Sequence, residues 1–150
     1  MFIDYFLDFE PDNCFVAVEG KMPVGYIVCS TDAEKYDREF RKRYIPTIRK
    51  ISIPMAIFTL LCLKTSNRLN RTHNGGLHIN VDASHQGLKI GPRLLSSLSR
   101  HLHKKGYPYM YLVTQNNKTR GYHFFTHFGF HEIRQCFGGT IALAFETKNG

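Results

Sequence analysis

No two of the four cysteines, Cys14, Cys29, Cys62 and Cys136, stand in a C-x-x-C pair, and each lies in an apolar stretch. That excludes a zinc ribbon or a thiol redox motif and argues against a disulfide scaffold. Reduced thiols in a cytoplasmic protein are expected. Acids are scarce, 12 against 20 Lys and Arg, and the formal charge is +8. A transmembrane run is lacking as well. The longest apolar stretch, Ile51 to Leu63, has 13 residues, and a span needs about 20. Met1 is followed by Phe2-Ile3-Asp4 and not by a basic leader, so no signal peptide is expected. Glycine and proline together number 18, too few for a collagen or linker composition.

What is present is enough for one ordinary domain. A chain of 150 residues with 43% hydrophobic residues can bury a core without disulfides or metal. One domain over residues 1–150 is expected. The charge is uneven. Residues 1–32 carry −5, residues 33–71 carry +7 and residues 72–150 carry +6. A basic field attracts nucleic acid, anionic lipid or phosphorylated ligands. No paired zinc ligands and no glycine-aromatic RNA-binding strand accompany it, which argues against nucleic acid.

Periodicity and turn residues predict the order of elements. Phe2 to Phe9 reads as a short helix. Cys14–Glu19 and Val24–Ser30 read as an antiparallel hairpin joined by the four residues from Gly20 to Pro23. Thr31 to Lys50 reads as helix broken at Pro46, and the apolar stretch as a second helix ending near Asn67. For that stretch a buried helix is the expectation, with a dimer face or membrane-surface helix as alternatives. Leu77–Val81 reads as a strand and Pro92–Lys105 as a helix with Pro92 in first position and a leucine stripe. Tyr109–Thr114 is a strand, Lys118–Phe128 a helix closed by Gly129, and two strands follow, Phe130–Cys136 and Thr140–Phe145. The order β-β, helices, β-α-β-α-β-β is that of an α/β or α+β sheet with a central βαβ unit.

The chemistry is carried by the junction Val81-Asp82-Ala83-Ser84-His85-Gln86-Gly87-Leu88-Lys89-Ile90-Gly91-Pro92. A strand feeds a helix through a glycine-containing loop, so unpaired N–H groups and the helix dipole together suit a pyrophosphate. Alone, such a loop is also an ordinary turn. His123, His127 and His131 are spaced by four, but Gly129 should end the helix before His131, so no metal is expected.

The junction resembles the acetyl-CoA motif of the GNAT N-acetyltransferases, Gln/Arg-x-x-Gly-x-Gly/Ala after a strand ending in Val. Gln86, Gly91 and Val81 match, and Lys89 stands at the family's first Gly. A second signature, Asn then a short helix, an aromatic pair and Gly-Phe, is similar to Asn117, Phe124-Phe125 and Gly129-Phe130. The likeness covers about Asn13 to Cys136. It implies a GNAT-like mixed, mostly antiparallel twisted sheet with a central acetyl-CoA-binding βαβ unit, a helical insert at about 31–74, and an N-terminal strand missing from the set. That missing strand leaves a sheet edge open to homodimerisation.

The resemblance implies acetyl-CoA as co-substrate and direct transfer to a primary amine, on a small molecule or a protein. Ile79, Asn80 and Val81 would pair with the pantetheine arm, with the Val81 N–H on the thioester carbonyl. Gln86, Gly87, Leu88, Lys89, Ile90, Gly91 and Pro92 would hold the pyrophosphate, and Asn117 and Phe124 the pantetheine end. His78 is the candidate base, because histidine titrates near neutrality. Tyr122 is the candidate acid, since Phe125 stands where the family commonly has a tyrosine hydroxyl. A CoA-ester-binding module with weak or no catalysis, and a basic adaptor built on residues 38–71, are the competing classes.

Overall fold

The structure, a computed structural model, describes residues 3–148 except 71, 74 and 117, and not the side chains at 62, 65–67, 70 and 137. Its elements run α1 (Asp4–Phe9), β1 (Cys14–Glu19), β2 (Met22–Ser30), α2 (Ala33–Arg43), α3 (Ile45–Ile51), α4 (Ile53–Asn70), β3 (Gly76–Val81), α5 (Ile90–Lys104), β4 (Tyr109–Thr114), α6 (Arg120–Phe128), β5 (His131–Gln135) and β6 (Ile141–Glu146). The six strands form one sheet in the order β1-β2-β3-β4-β6-β5. Only β3 and β4 are parallel. The other four pairings are antiparallel. This is the mixed, mostly antiparallel sheet that the element order and the resemblance imply.

The main core lies between one face of this sheet and α5 with α6. Leu94, Leu95, Leu98 and Leu102 put one stripe of α5 against Ile27, Leu77, Met110, Leu112 and Leu143. None of the four leucines is more than 6% exposed, and each such burial contributes roughly 1.5–3 kcal/mol. Phe125, Phe130 and Phe145 close the same core from the α6 side. The opposite face carries α1, through Tyr5 and Phe6 on Val28. It also carries the end of α4, through Leu69 on Tyr111, Ala142 and Ala144.

Three sequence expectations are corrected here. The hairpin turn is two residues, Gly20 and Lys21, because β2 already begins at Met22. Gly20 supplies the left-handed conformation at φ 60° that such a tight turn requires. Next, α5 begins at Ile90, so Pro92 is its third residue. It is tolerated there because the first-turn N–H groups lack intrahelical partners anyway. Last, the apolar stretch is not a buried helix. Ala56 and Leu63 pack on Phe40 and Ile48, while Ile51, Ile53, Met55 and Ile57 are exposed. The stretch is apolar on all sides of the helix, and the neighbouring helices α2 and α3 cover only one of them. No helix among the described residues is long and apolar enough to cross a membrane.

One carboxylate ties the N-terminal elements together. Glu10 accepts from Tyr5 Oη at 2.9 Å and Ser30 Oγ at 2.8 Å on one oxygen. On the other it accepts from Asn13 Nδ2 at 3.0 Å and from the Thr31 N–H and Oγ1 at 2.7 and 2.8 Å. Buried Asn13 extends the network, its Oδ1 bonding Lys105 Nζ at 3.1 Å and lying 3.0 Å from His101 Nε2. Thus α1, the hairpin, the start of α2 and the end of α5 share one knot. Glu10→Gln, which turns an acceptor into a donor facing donors, should destabilise by roughly 2–4 kcal/mol. A urea melt checks it, and an unchanged midpoint would mean the knot contributes nothing net.

Candidate active site

The site begins where two neighbouring strands fail to stay paired. β3 matches β2 at six positions, and β4 matches β6 at six. Between β3 and β4 the register contains one pair, Gly76 with Tyr111, with the Tyr111 N–H on Gly75 O at 2.8 Å. The vertex needs glycine. A side chain on Gly75 would lie 2.9 Å from Tyr109 O, and one on Gly76 2.9 Å from the Tyr111 hydroxyl. Beyond it β3 and β4 continue without a further pair.

That separation leaves backbone groups facing a gap. The Asp82 N–H bonds Val24 O at 2.9 Å. By the antiparallel alternation, even-numbered residues of β3 then bond β2 and odd-numbered ones face β4. The N–H and C=O of Ile79 and the N–H of Val81 therefore point into the gap. The Val81 carbonyl accepts from Gln86 Nε2 at 3.4 Å. Asn80 alternates away, its backbone toward β2 and its exposed side chain on the face opposite α5.

The loop after Val81 is held by its own side chains. Asp82 Oδ1 accepts from the Ser84 N–H at 2.9 Å and the Ser84 hydroxyl at 2.5 Å, and these bonds lower its pKa. His85 Nε2 lies 3.2 Å from Glu19 in β1, and that hydrogen bond raises the imidazole pKa. Gly87 sits at φ 86°, and Leu88 is exposed. Lys89 sits at φ 59°, ψ 17° as N-cap of α5 and makes no side-chain cap. It is the one non-glycine residue at positive φ among the described residues. The first N–H groups of α5 are thus uncapped by Lys89 beside a left-handed turn, a surface suited to phosphate oxygens.

Gly91 has another task. A side chain there would meet the Phe124 ring at 2.9 Å, so Gly91 brings α5 and α6 together and fixes Phe124 beside the first turn of α5. Ile90 packs against the main core. Asn117 lies outside the described residues.

His78 stands on the side of β3 away from α5. Its ring meets Phe6 edge-on at 5.8 Å, and Phe6 lies equally far from Tyr36. His78 is exposed, and the desolvation its ring does suffer lowers its pKa. Tyr122 is elsewhere. Its hydroxyl donates to Glu132 on β5, which raises its pKa, and Phe125 is buried in the core. The sequence reading passed over Tyr111, which lies across Gly76 on the His78 face. The alternation Tyr109-Met110-Tyr111-Leu112 carries that signal, since Met110 and Leu112 are the core residues. No group of three or more His, Cys, Asp or Glu side chains placed to hold a metal ion is found among the described residues.

A second concavity of about 500 Å³ lies between the hairpin and α5, with Val16, Val18, Val24, Leu88, Ile90 and Leu94 among its lining. It opens on the side of α5 that faces β1.

The family model for the acetyltransferase (GNAT) family matches residues 1–130. The chain belongs to the GNAT acetyltransferase family. Among solved structures, SsHAT superposes with a TM-score of 0.77 at 21% identity, covering 98% of this chain and 78% of that one. PH1933 from Pyrococcus horikoshii OT3 gives 0.64 at 20% identity, covering 98% and 73%. The Drosophila melanogaster polyamine N acetyltransferase, which forms N-acetylagmatine, gives 0.66 at 13% identity, covering 95% and 79%. These likenesses are of fold. No curated protein sequence matches the chain.

Two outcomes are expected. Lys89→Gly relieves the left-handed strain and should raise stability by about 0.5–1 kcal/mol, whereas Lys89→Ala keeps it. Equal melts for the two variants would show that the conformation costs nothing. His85 should titrate above 6.5, so its contact with Glu19 is charged at lower pH and weakens as pH rises through that raised value. An NMR titration in which Glu19→Gln fails to lower it would refute the pairing.

Proposed function

We propose that the chain is an acetyl-CoA-dependent N-acetyltransferase that moves acetyl directly to a primary amine, on a small molecule or a protein. The observation that carries this reading is the gap between β3 and β4, edged by the Ile79 and Val81 backbone and ending at the start of α5. Its donors fit the co-substrate. Ile79 and the Val81 N–H would take the pantetheine amides and thioester end, and Gln86 to Pro92, at the α5 start, the pyrophosphate. Phe124 and Asn117 would flank the arm. Bound there, acetyl-CoA supplies an activated acetyl group. The Val81 N–H then stabilises charge developing on the acyl oxygen. His78, its pKa lowered by desolvation, accepts the proton of the attacking amine, directly or through water. The cytoplasm is the proposed compartment, in keeping with the free thiols of Cys14 and Cys29.

A second reading has its own observation. The Tyr122 hydroxyl is committed to Glu132 and Phe125 has no hydroxyl, so protonation of the leaving thiolate falls to water or an acid not on α6. A CoA-ester-binding module with weak or no turnover is the alternative.

Calorimetry with acetyl-CoA and thiol release with an amine panel separate them. Micromolar binding with turnover supports transfer. Binding without turnover supports the module, and no binding sinks both. Val81→Pro removes one donor facing the gap and should cost about 100-fold or more in kcat. His78→Gln should lose about 100-fold. Because the His78 pKa is lowered, the wild-type rate should be flat above pH 6.5 and fall on acidification below it. A rate that keeps rising from pH 6.5 to 8 would remove His78 from the role of base.

A further inference from the structure

From Phe40 to Val81 the chain contains eight Lys or Arg and no Asp or Glu. This acid-free stretch includes the corner between α3 and α4, where Ser52 is extended. Four large apolar side chains crowd that corner in the open. Ile51 is 76% exposed, Ile53 62%, Met55 55% and Ile57 55%. Isolated exposed apolar residues are commonplace, but a cluster of this size marks a contact surface.

Bases bracket the cluster along the chain. Arg49 and Lys50 precede it, and Lys64 and Arg68 follow on the helix face that carries Ile53 and Ile57, by the spacing of 3.6 residues per turn. All four are exposed. None has a carboxylate within 4 Å among the described residues, whereas Arg41 and Arg43 are paired with Asp37, Asp8 and Glu39. The bases nearest the apolar corner are thus left for an external anion.

We propose that the α3–α4 corner is a docking surface for an anionic lipid bilayer, with Ile51, Ile53 and Ile57 entering the headgroup boundary and Arg49, Lys50, Lys64 and Arg68 on lipid phosphates and carboxylates. Charge chooses the occupant. A second copy would bring an equally basic, acid-free surface against this one. A duplex nucleic acid would match the bases and leave the isoleucines in water. The apolar residues stand on an outer ridge, and a fluid interface accepts a ridge without a complementary groove. No helix here is long enough to cross, so the mode is peripheral, apolar contact plus attraction to anionic lipid. The surface does not depend on the acetyl-transfer reading, since neither β3 nor the start of α5 contributes to it.

The test is flotation of the full chain with phosphatidylcholine vesicles, with and without 30% phosphatidylserine. Binding only to the anionic vesicles is expected, weakening steeply with salt. Lys64→Gln with Arg68→Gln should weaken it about fivefold per charge removed. Ile53→Gln with Ile57→Gln should weaken it about tenfold or more. Unchanged melting temperatures show that both variants are folded. Equal binding to neutral vesicles, no binding to either, or indifference to both double variants would overturn the proposal. So would a concentration-dependent dimer in sedimentation that Ile57→Gln dissolves, or duplex DNA binding as tight as vesicle binding at the same salt.

Discussion

Everything at the candidate site follows from one limit on strand pairing. β3 and β4 are both central strands with full registers on their outer sides, yet they meet at a single position. Backbone groups without a strand partner need another one, so parting two central strands leaves the Ile79 and Val81 groups for water or a ligand. The vertex is enforced from both directions. Gly75 and Gly76 let the chains touch, and Tyr111 fills the space above Gly76 so that no side chain replaces it. The α5 crossover starts where the gap is wide and returns where it is closed. The start of α5 therefore sits at the mouth.

The loop shows how a departure from the family pattern is absorbed. Where the family has glycine, Lys89 adopts the left-handed conformation regardless. The neighbours leave it no alternative. Asp82 and Ser84 fix the loop entry, His85 is held to Glu19 on the hairpin, and Ile90 is anchored in the core. Between two fixed ends the backbone path is set, and the residue at position 89 accepts the torsion and projects a cation beside it. Gly91 shows the reverse case. Its motif position suggests contact with ligand, while its buried surroundings assign it first to the seam between α5 and α6.

Local signals were legible where chemistry is local. The limits of β4, the leucine stripe of α5 and the stop at Gly129 could be read directly, because alternation, helical period and a left-handed cap are properties of a few neighbouring residues. The family was legible from Val81, Gln86 and Gly91 with the Phe124 to Phe130 segment. What lay beyond reach was tertiary. Ile51 to Leu63 reads as apolar whichever faces are covered, and only the placement of α2 and α3 decides which residues remain in solvent. Tyr122 looks available on a helical wheel, and its hydroxyl is taken by Glu132 from a strand ten residues later. Glu10 carries no motif at all, because its five donors come from segments up to 21 residues away.

That knot also has a position in time. The hairpin and the Glu10 bonds to Tyr5, Asn13, Ser30 and Thr31 involve only the first 31 residues, so they need nothing made later. Asn13 must wait for Lys105, 92 residues further along. Contacts of that span form slowly, since a long loop must be closed before they repay its entropy. During synthesis the N-terminal third therefore holds a half-made network, with Asn13 short of its last donors, until α5 has left the ribosome and docked. The hairpin joins the sheet through its six pairs with β3, and the bond from Lys105 then ties it to the end of α5.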